Sequence, residues 1–392
     1  MTYDVCAVVI SDLAYDARVW KEVRSLGASG RSVALIGCRY ETQRIEHRSV
    51  DGITVIEVPL GSRAGRVSHL ERARTLLRVW AEVLRTPARV YHVHNVHPAA
   101  PAWLASRLRR ASIVYDGHEL YWEPTSDAAG ARVAARGRAV LERLMVRGAD
   151  AVITTNASRA DVLGRRYGRE GVVVIANVPD LQTDVEPLDP GFPPGCRVLL
   201  YQGGIYAESR AFRQTIEALT LLPEDVHLVL LGFGRSRDLE LVREWSRTYG
   251  VEDRVHLLPP RPFDELVRTA ASATVGLVPI RPIRLNHVFG DTNKIHEYLM
   301  AGLPIVASDL PEIRRIARDG DPPVGEVFDP DDPGSIAAAV ERVLQDPEML
   351  QRRRGEALRL AREQYNWEVE RRKLLDLYDH LDHRQVPAEQ EM

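Results

Sequence analysis

Short apolar, β-branched runs recur along the chain, separated by longer stretches in which apolar residues return every three or four positions. In the first half the runs are CAVVI (6–10), SVALIG (32–37), VYHVH (90–94), SIVYD (112–116) and AVITT (151–155). Arginine-rich segments of helical period, such as Arg66–Leu84 and Arg132–Val146, lie between several of them. Strand alternating with helix predicts a parallel sheet covered by helices. The rhythm breaks at PDLQTDVEPLDPGFPPGC (Pro179–Cys196), which has five prolines, two glycines and no periodicity, and reads as an interdomain linker. A second series follows: RVLLYQGG (197–204), VHLVLLG (226–232), VHLLPP (255–260), TVGLVPI (274–280) and LPIVAS (303–308). A last helical pattern, from Trp367 to about Leu381, has no place in the second sheet, and the tail QVPAEQEM is expected to fray.

Composition supports this division. A chain of 392 residues exceeds one ordinary domain, and 45% hydrophobic content suffices for two cores. Cys6, Cys38 and Cys196 are far apart in sequence and suggest neither a disulfide framework nor a zinc site. No apolar run approaches the ~20 residues of a membrane span. The opening MTYDVCAVVISD has no basic region ahead of its apolar run and reads as a first strand rather than a signal peptide, so a cytoplasmic location is expected.

Charge is uneven. Residues 1–180 hold 26 Lys and Arg against 19 Asp and Glu, a net +7, and the remainder is net −10. The basic half is compatible with an anionic partner, including peripheral contact with the inner membrane face, or with a merely solvated surface. Nucleic acid is not an expected partner.

Ligands of open α/β sheets bind beyond the carboxyl ends of the strands. There Gly203-Gly204 and Gly232-Phe233-Gly234 are expected as loops letting the backbone approach a ligand, with Arg210 near the start of the next helix. FGDTNKIHEYLMAGLPIVAS, from Phe289, is more specific. Asp291 or Thr292 can cap a helix whose free N–H groups form an anion site. Lys294 in its first turn carries the wrong charge for a helix start unless an anion is bound. Asn293 and Glu297 share a face, where a carboxylate could bond vicinal ribose hydroxyls. The bland alternative pairs Lys294 with Glu297 on a solvated surface.

These runs resemble the donor-binding domain of retaining glycosyltransferase family 4, enzymes of the GT-B fold: two Rossmann-like doubly wound domains facing across a cleft, with a C-terminal helix crossing back to the first. DARVWKEVRSLGASGRSVALI (16–36) is similar to that family's opening helix and second strand, VYDGHELY (114–121) to its YDxHELY motif, and QYNWEVERRKLLDLY (364–378) to its closing helix. The resemblance implies an acceptor domain over 1–180 completed by a helix at about 366–385, and a donor domain over 181–365. It implies transfer of a sugar from a nucleotide diphosphate sugar, UDP- or GDP-linked, to an acceptor hydroxyl with retention of configuration. Arg210 and Lys294 would hold the diphosphate, Glu297 and Asn293 the nucleoside side, and the glycine segments with Phe233 the nucleotide pocket. His118 would face the donor sugar near the reacting carbon, with Asp16, Arg18 and Glu119 on the acceptor side.

The first glutamate of the family's usual pair, eight positions before Glu297, is replaced by Phe289, which leaves the donor sugar open; Asp291 is the candidate substitute. SDLAYDAR stands where many members have a Gly-Gly loop, and an N-capping role for Asp16 competes with an acceptor role. With neither a DxD-like motif nor a nucleophile–base pair, front-face substitution without metal or cofactor is expected. A lipid-linked, polysaccharide or small natural-product acceptor is equally compatible. A nucleotide-sugar epimerase of this fold and a catalytically silent binding protein are the alternatives.

Overall fold

A computed structural model describes residues 2–40, 42–61, 68–124 and 129–385. The chain forms two compact units: residues 1–177 with 370–392, and residues 178–369. The rhythm of short apolar runs and amphipathic stretches is realised in each as a sheet between helix layers.

The first unit runs β1 (Tyr3–Asp12), α1 (Ala17–Ala28), β2 (Val33–Arg39), β3 (Glu46–Val50), β4 (Ile53–Pro59), α2 (His69–Arg85), β5 (Ala88–His94), α3 (Ala99–Arg109), β6 (Ser112–Gly117), α4 (Ala129–Gly148), β7 (Ala151–Thr154), α5 (Ala157–Tyr167) and β8 (Val173–Val174). Its sheet order is β3-β4-β2-β1-β5-β6-β7-β8. All neighbours are parallel except the β3/β4 hairpin. Sequence period did not reveal that hairpin, because exposed EHRSV lacks an apolar face. The N-terminal end of the expected helix Arg66–Leu84 and nearly all of the tail QVPAEQEM lie outside the described residues.

The second unit contains β9 (Arg197–Ile205), α6 (Phe212–Ala218), β10 (Val226–Gly234), α7 (Ser236–Thr248), β11 (Val255–Leu258), α8 (Leu266–Ala271), β12 (Val275–Val278), α9 (Leu285–Val288), α10 (Asn293–Met300), β13 (Ile305–Ser308), α11 (Pro311–Ala317), β14 (Gly325–Phe328), α12 (Pro333–Leu344) and α13 (Pro347–Glu363). The wholly parallel order β11-β10-β9-β12-β13-β14 reverses direction between β9 and β12. A crevice at that reversal is where such sheets bind ligands. Tyr201, Phe212, Leu228, Leu230, Leu277 and Val340 are among the buried side chains that join this sheet to its helices.

Helix α14 (Trp367–Gln385) begins in the second unit and belongs with the first from Glu370 onward. Within the first unit Arg31 reaches Asp379 at 2.6 Å and Asp382 at 2.9 Å, and Glu370 accepts a 2.9 Å hydrogen bond from the Ala176 backbone. Tyr378, fully buried, meets His92 Nδ1 at 2.9 Å.

Candidate functional site

In the second unit the glycines are not loops after the strands; they lie within the carboxyl ends of β9 and β10. β9 and β10 stay paired through Gly203–Gly232, Phe233–Gly204 and Gly234–Ile205. Gly203 has φ +129° and Gly232 φ +156°, values that disfavour side chains. A Cβ on Gly232 would lie 1.9 Å from the Gly203 carbonyl oxygen, so only glycine lets the two strands run on together here. Beyond them Phe233 is exposed and packs edge to face with Tyr206 at 6.5 Å.

Lys294 lies alongside this glycine pair. Its Cε is 3.6 Å from the Cβ position of Gly203, and its Nζ is 5.0 Å from the centre of the Tyr201 ring. The side chain is buried, not on a solvated surface. Burial, reinforced by Arg210 and opposed by Glu297, lowers its pKa from 10.5 to about 7. Arg210 bonds the Tyr201 hydroxyl at 3.2 Å and the Ser209 carbonyl and hydroxyl at 3.0 Å each. Tyr201 therefore stands between the two cations, its face to one and its oxygen to the other.

Glu297, also buried, accepts a 2.6 Å hydrogen bond from the Gln202 amide. The next residue fixes the helix: the Tyr298 hydroxyl donates to the Leu200 carbonyl at 3.0 Å and accepts from the Gln202 N–H at 3.1 Å. α10 is thus pinned to β9. The capping expectation is corrected. Thr292 takes the N-cap position without a side-chain capping bond, and the Asp291 carboxylate instead meets His296 Nε2 at 2.8 Å. Asn293 is the exposed first residue of the helix, and Phe289 ends the short α9.

In the first unit, His118 follows β6 and is partly exposed, with Glu119 exposed beside it. Its Nε2 lies 2.8 Å from Asp116 Oδ2. Burial opposes ionisation of Asp116, but Arg18 and His118 hold its carboxyl well below the usual range. Arg18 Nε lies 3.1 Å from the same His118 nitrogen, so Asp116 and Arg18 together hold the ring through Nε2. Arg18 is turned inward: its Nε and Nη2 reach the two Asp116 oxygens at 3.0 and 3.2 Å, and Nη1 donates to the Ile175 carbonyl at 2.7 Å. Asp16 caps α1, accepting from the Val19 N–H at 3.4 Å.

Behind Asp116 lies a buried polar cluster that sequence reading missed. Glu22 approaches Arg18 at 3.0 Å, His92 at 3.4 Å and His94 at 3.8 Å. His92 and His94 stack with centroids 4.4 Å apart. Burial pushes the Glu22 carboxyl up to about 8 despite Arg18. Glu22, His92, His94 and Asp116 bring one ligand atom each within 4.8 Å of one another, a set a divalent cation could use. The Arg18 guanidinium already places a fixed positive charge between the two carboxylates. The H-x-H spacing in VYHVH and the E four residues after Arg18 were the available signals; both point inward from one strand face and one helix face.

Two doubly wound parallel-sheet units in one chain define the GT-B architecture. Sucrose-phosphate synthase from Thermosynechococcus elongatus has the same fold, with TM-score 0.79 at 17% identity over 97% of this chain and 100% of that one. Anabaena HepE, solved in complex with UDP and glucose, has TM-score 0.70 at 15% identity over 96% and 100%. In sequence, residues 196–346 match the family model for glycosyl transferases group 1, and residues 15–178 match that for the glycosyl transferase 4-like domain. D-inositol 3-phosphate glycosyltransferase of Xylanimonas cellulosilytica is 26% identical over 83% of this chain and 82% of its own length. Phosphatidyl-myo-inositol mannosyltransferase of Mycolicibacterium smegmatis is 27% identical over 55% of each. The chain belongs to the group 1, family 4 glycosyltransferases, and is a glycosyltransferase.

Proposed function

We propose that the protein transfers a sugar from a UDP- or GDP-sugar to an acceptor hydroxyl with retention of configuration and without a metal ion. The observation that carries this reading is Lys294: a buried amine beside Arg210, at the sheet's switch point, next to strands that only glycine can bring so close. Two cations held together without an anion repel, and a bound diphosphate reverses the sign of that interaction. They would supply the charge stabilisation that a metal gives elsewhere. Glu297 takes the ribose hydroxyls, Asn293 and the glycine segments the nucleotide, and exposed Phe233 and Tyr206 offer faces for the base.

The bond between the anomeric carbon and the diphosphate oxygen breaks as the acceptor oxygen bonds the same face of that carbon. The acceptor proton passes to the leaving phosphate oxygen. Lys294 and Arg210 stabilise the charge growing on that group. By the family resemblance His118, its ring held by Asp116, would contact the donor sugar near the reacting carbon. The acceptor side falls to the first unit, with Glu119 exposed there and Asp16 and Arg18 shaping its fold. We assign the protein to the cytoplasm; among the described residues no helix is long and apolar enough to cross a membrane.

Lys294→Ala tests the assignment. Turnover should fall at least a hundredfold, while the folded protein survives because removing an unfavourable buried charge does not cost stability. Nearly unchanged turnover would place the diphosphate elsewhere.

A further inference from the structure

The outer side of a helix layer on a doubly wound sheet is ordinarily polar. Helices α2, α3 and α4 depart from this. Successive crossovers β4-α2-β5, β5-α3-β6 and β6-α4-β7 run in one direction across the sheet, so the three helices share a face, and α2 packs on α3 and α3 on α4. On α2 the buried stripe is narrow, through Thr75, Val79 and Val83. A second apolar stripe, Leu70, Ala73, Leu77 and Trp80, points away from it at spacings of three and four, with Leu77 69% exposed. α3 adds Leu108 at 68% and Trp103 at 41%, and α4 adds Val133 at 66%, Val140 and Leu144.

Charge selects the occupant. The three helices carry eleven arginines against three glutamates, and two of those glutamates, Glu82 and Glu142, are buried. A second copy of this face would bring two such basic layers together. The apolar side chains are also dispersed among arginines rather than gathered into one patch, and the Arg107 guanidinium lies over the Trp103 ring at 5.3 Å. Separate apolar side chains entering individually, each beside a cation left at the surface, match the headgroup boundary of a bilayer. Arginine's planar fork suits lipid phosphates, and tryptophan prefers that depth.

We propose that the outer face of α2, α3 and α4 docks the protein onto an anionic lipid surface. α3 and α4 begin at the strand edge that carries His118, so docking holds that edge close to the bilayer and suits a lipid-linked acceptor. The proposal uses none of the residues assigned to the donor, so it stands or falls separately from that assignment.

Flotation of the full chain with phosphatidylcholine vesicles, with and without about a third phosphatidylglycerol, tests it. Binding should appear with the anionic vesicles, be absent with pure phosphatidylcholine, and weaken by about fivefold for each arginine of the face changed to glutamine. Leu77→Glu with Trp80→Glu should abolish binding, whereas Leu221→Glu, equally solvent-facing in the second unit, should leave it intact. UDP-sugar or GDP-sugar binding monitors folding of every variant. Failure to bind anionic vesicles, undiminished binding by the Leu77/Trp80 variant, or a dimer that this variant dissociates would each overturn the proposal.

Discussion

Binding of a nucleoside diphosphate should be accompanied by proton uptake at Lys294. The free protein holds this amine at a pKa of about 7, because it is buried, faces Arg210 and is only partly offset by Glu297. At pH 8 about a tenth of the molecules then carry the proton. A diphosphate against the ammonium favours the charged form and returns the group toward its ordinary 10.5. Uptake at pH 8 is therefore about 0.9 proton per site, falling to about 0.5 at pH 7. The sign follows for affinity: above pH 7 each further unit should weaken binding by about tenfold, because the free state must first gain a proton. A terminal phosphate with second pKa near 6 is already ionised at pH 8 and does not contribute. Titration calorimetry with UDP and GDP, in buffers of different ionisation enthalpy, reads the uptake directly. Lys294→Met should remove it. Tight binding with no uptake in the unaltered protein, or undiminished uptake in Lys294→Met, would refute the placement of the diphosphate beside Lys294.

Other substitutions probe the remaining parts. Glu297→Gln should cost roughly 5- to 100-fold in nucleotide affinity and abolish preference for ribo- over 2′-deoxynucleotide, measured by competition binding. Gly232→Ala should destabilise by about 3 kcal/mol or more, read as a fall in denaturation midpoint, since its Cβ meets the Gly203 carbonyl oxygen at 1.9 Å. Glu22 has a folded pKa raised from 4.5 to about 8, so the folded state holds the proton more tightly and Glu22's contribution to stability is lost as pH rises between those values. Glu22→Gln should flatten that slope by a few kcal/mol at most, roughly, in denaturation curves taken from pH 5 to 8. His118→Ala should lower kcat about a hundredfold or more with donor affinity little changed, the pattern of a group acting on the reacting sugar.

Much of the fold was legible because buried parallel strands leave continuous apolar runs. Each of the ten apolar runs coincides with a strand, Val275–Val278 and Ala151–Thr154 being shorter than the runs around them. The β3/β4 hairpin escaped because exposed β3 alternates no apolar residue, and β14 because GEVF offers only two apolar residues behind a glycine and a glutamate. In the candidate donor site, Lys294, Glu297 and Arg210 were visible as residues whose charge or position needed a reason. What joins them was not: Tyr201 meets Lys294 and Gln202 meets Glu297, partners more than ninety positions apart that only the β9–α10 packing brings together. The glycine segments look like loops in sequence because two glycines after a strand usually end it. Here pairing between β9 and β10 carries both strands past them. Arg18 and Asp16 show the reverse limit: a charged residue near a loop can be claimed by its own fold, one by Asp116, the other by a helix cap.

Retaining transfer from a nucleotide sugar is tested most directly by ¹H NMR of the donor incubated with the protein alone. The donor is whichever of the UDP-, GDP-, ADP- or TDP-sugars raises the melting temperature most. Slow hydrolysis should release the nucleoside diphosphate and a sugar that first appears in the donor's own anomeric configuration. A first product of inverted configuration, an epimerised nucleotide sugar with no diphosphate released, or an unchanged donor would contradict it.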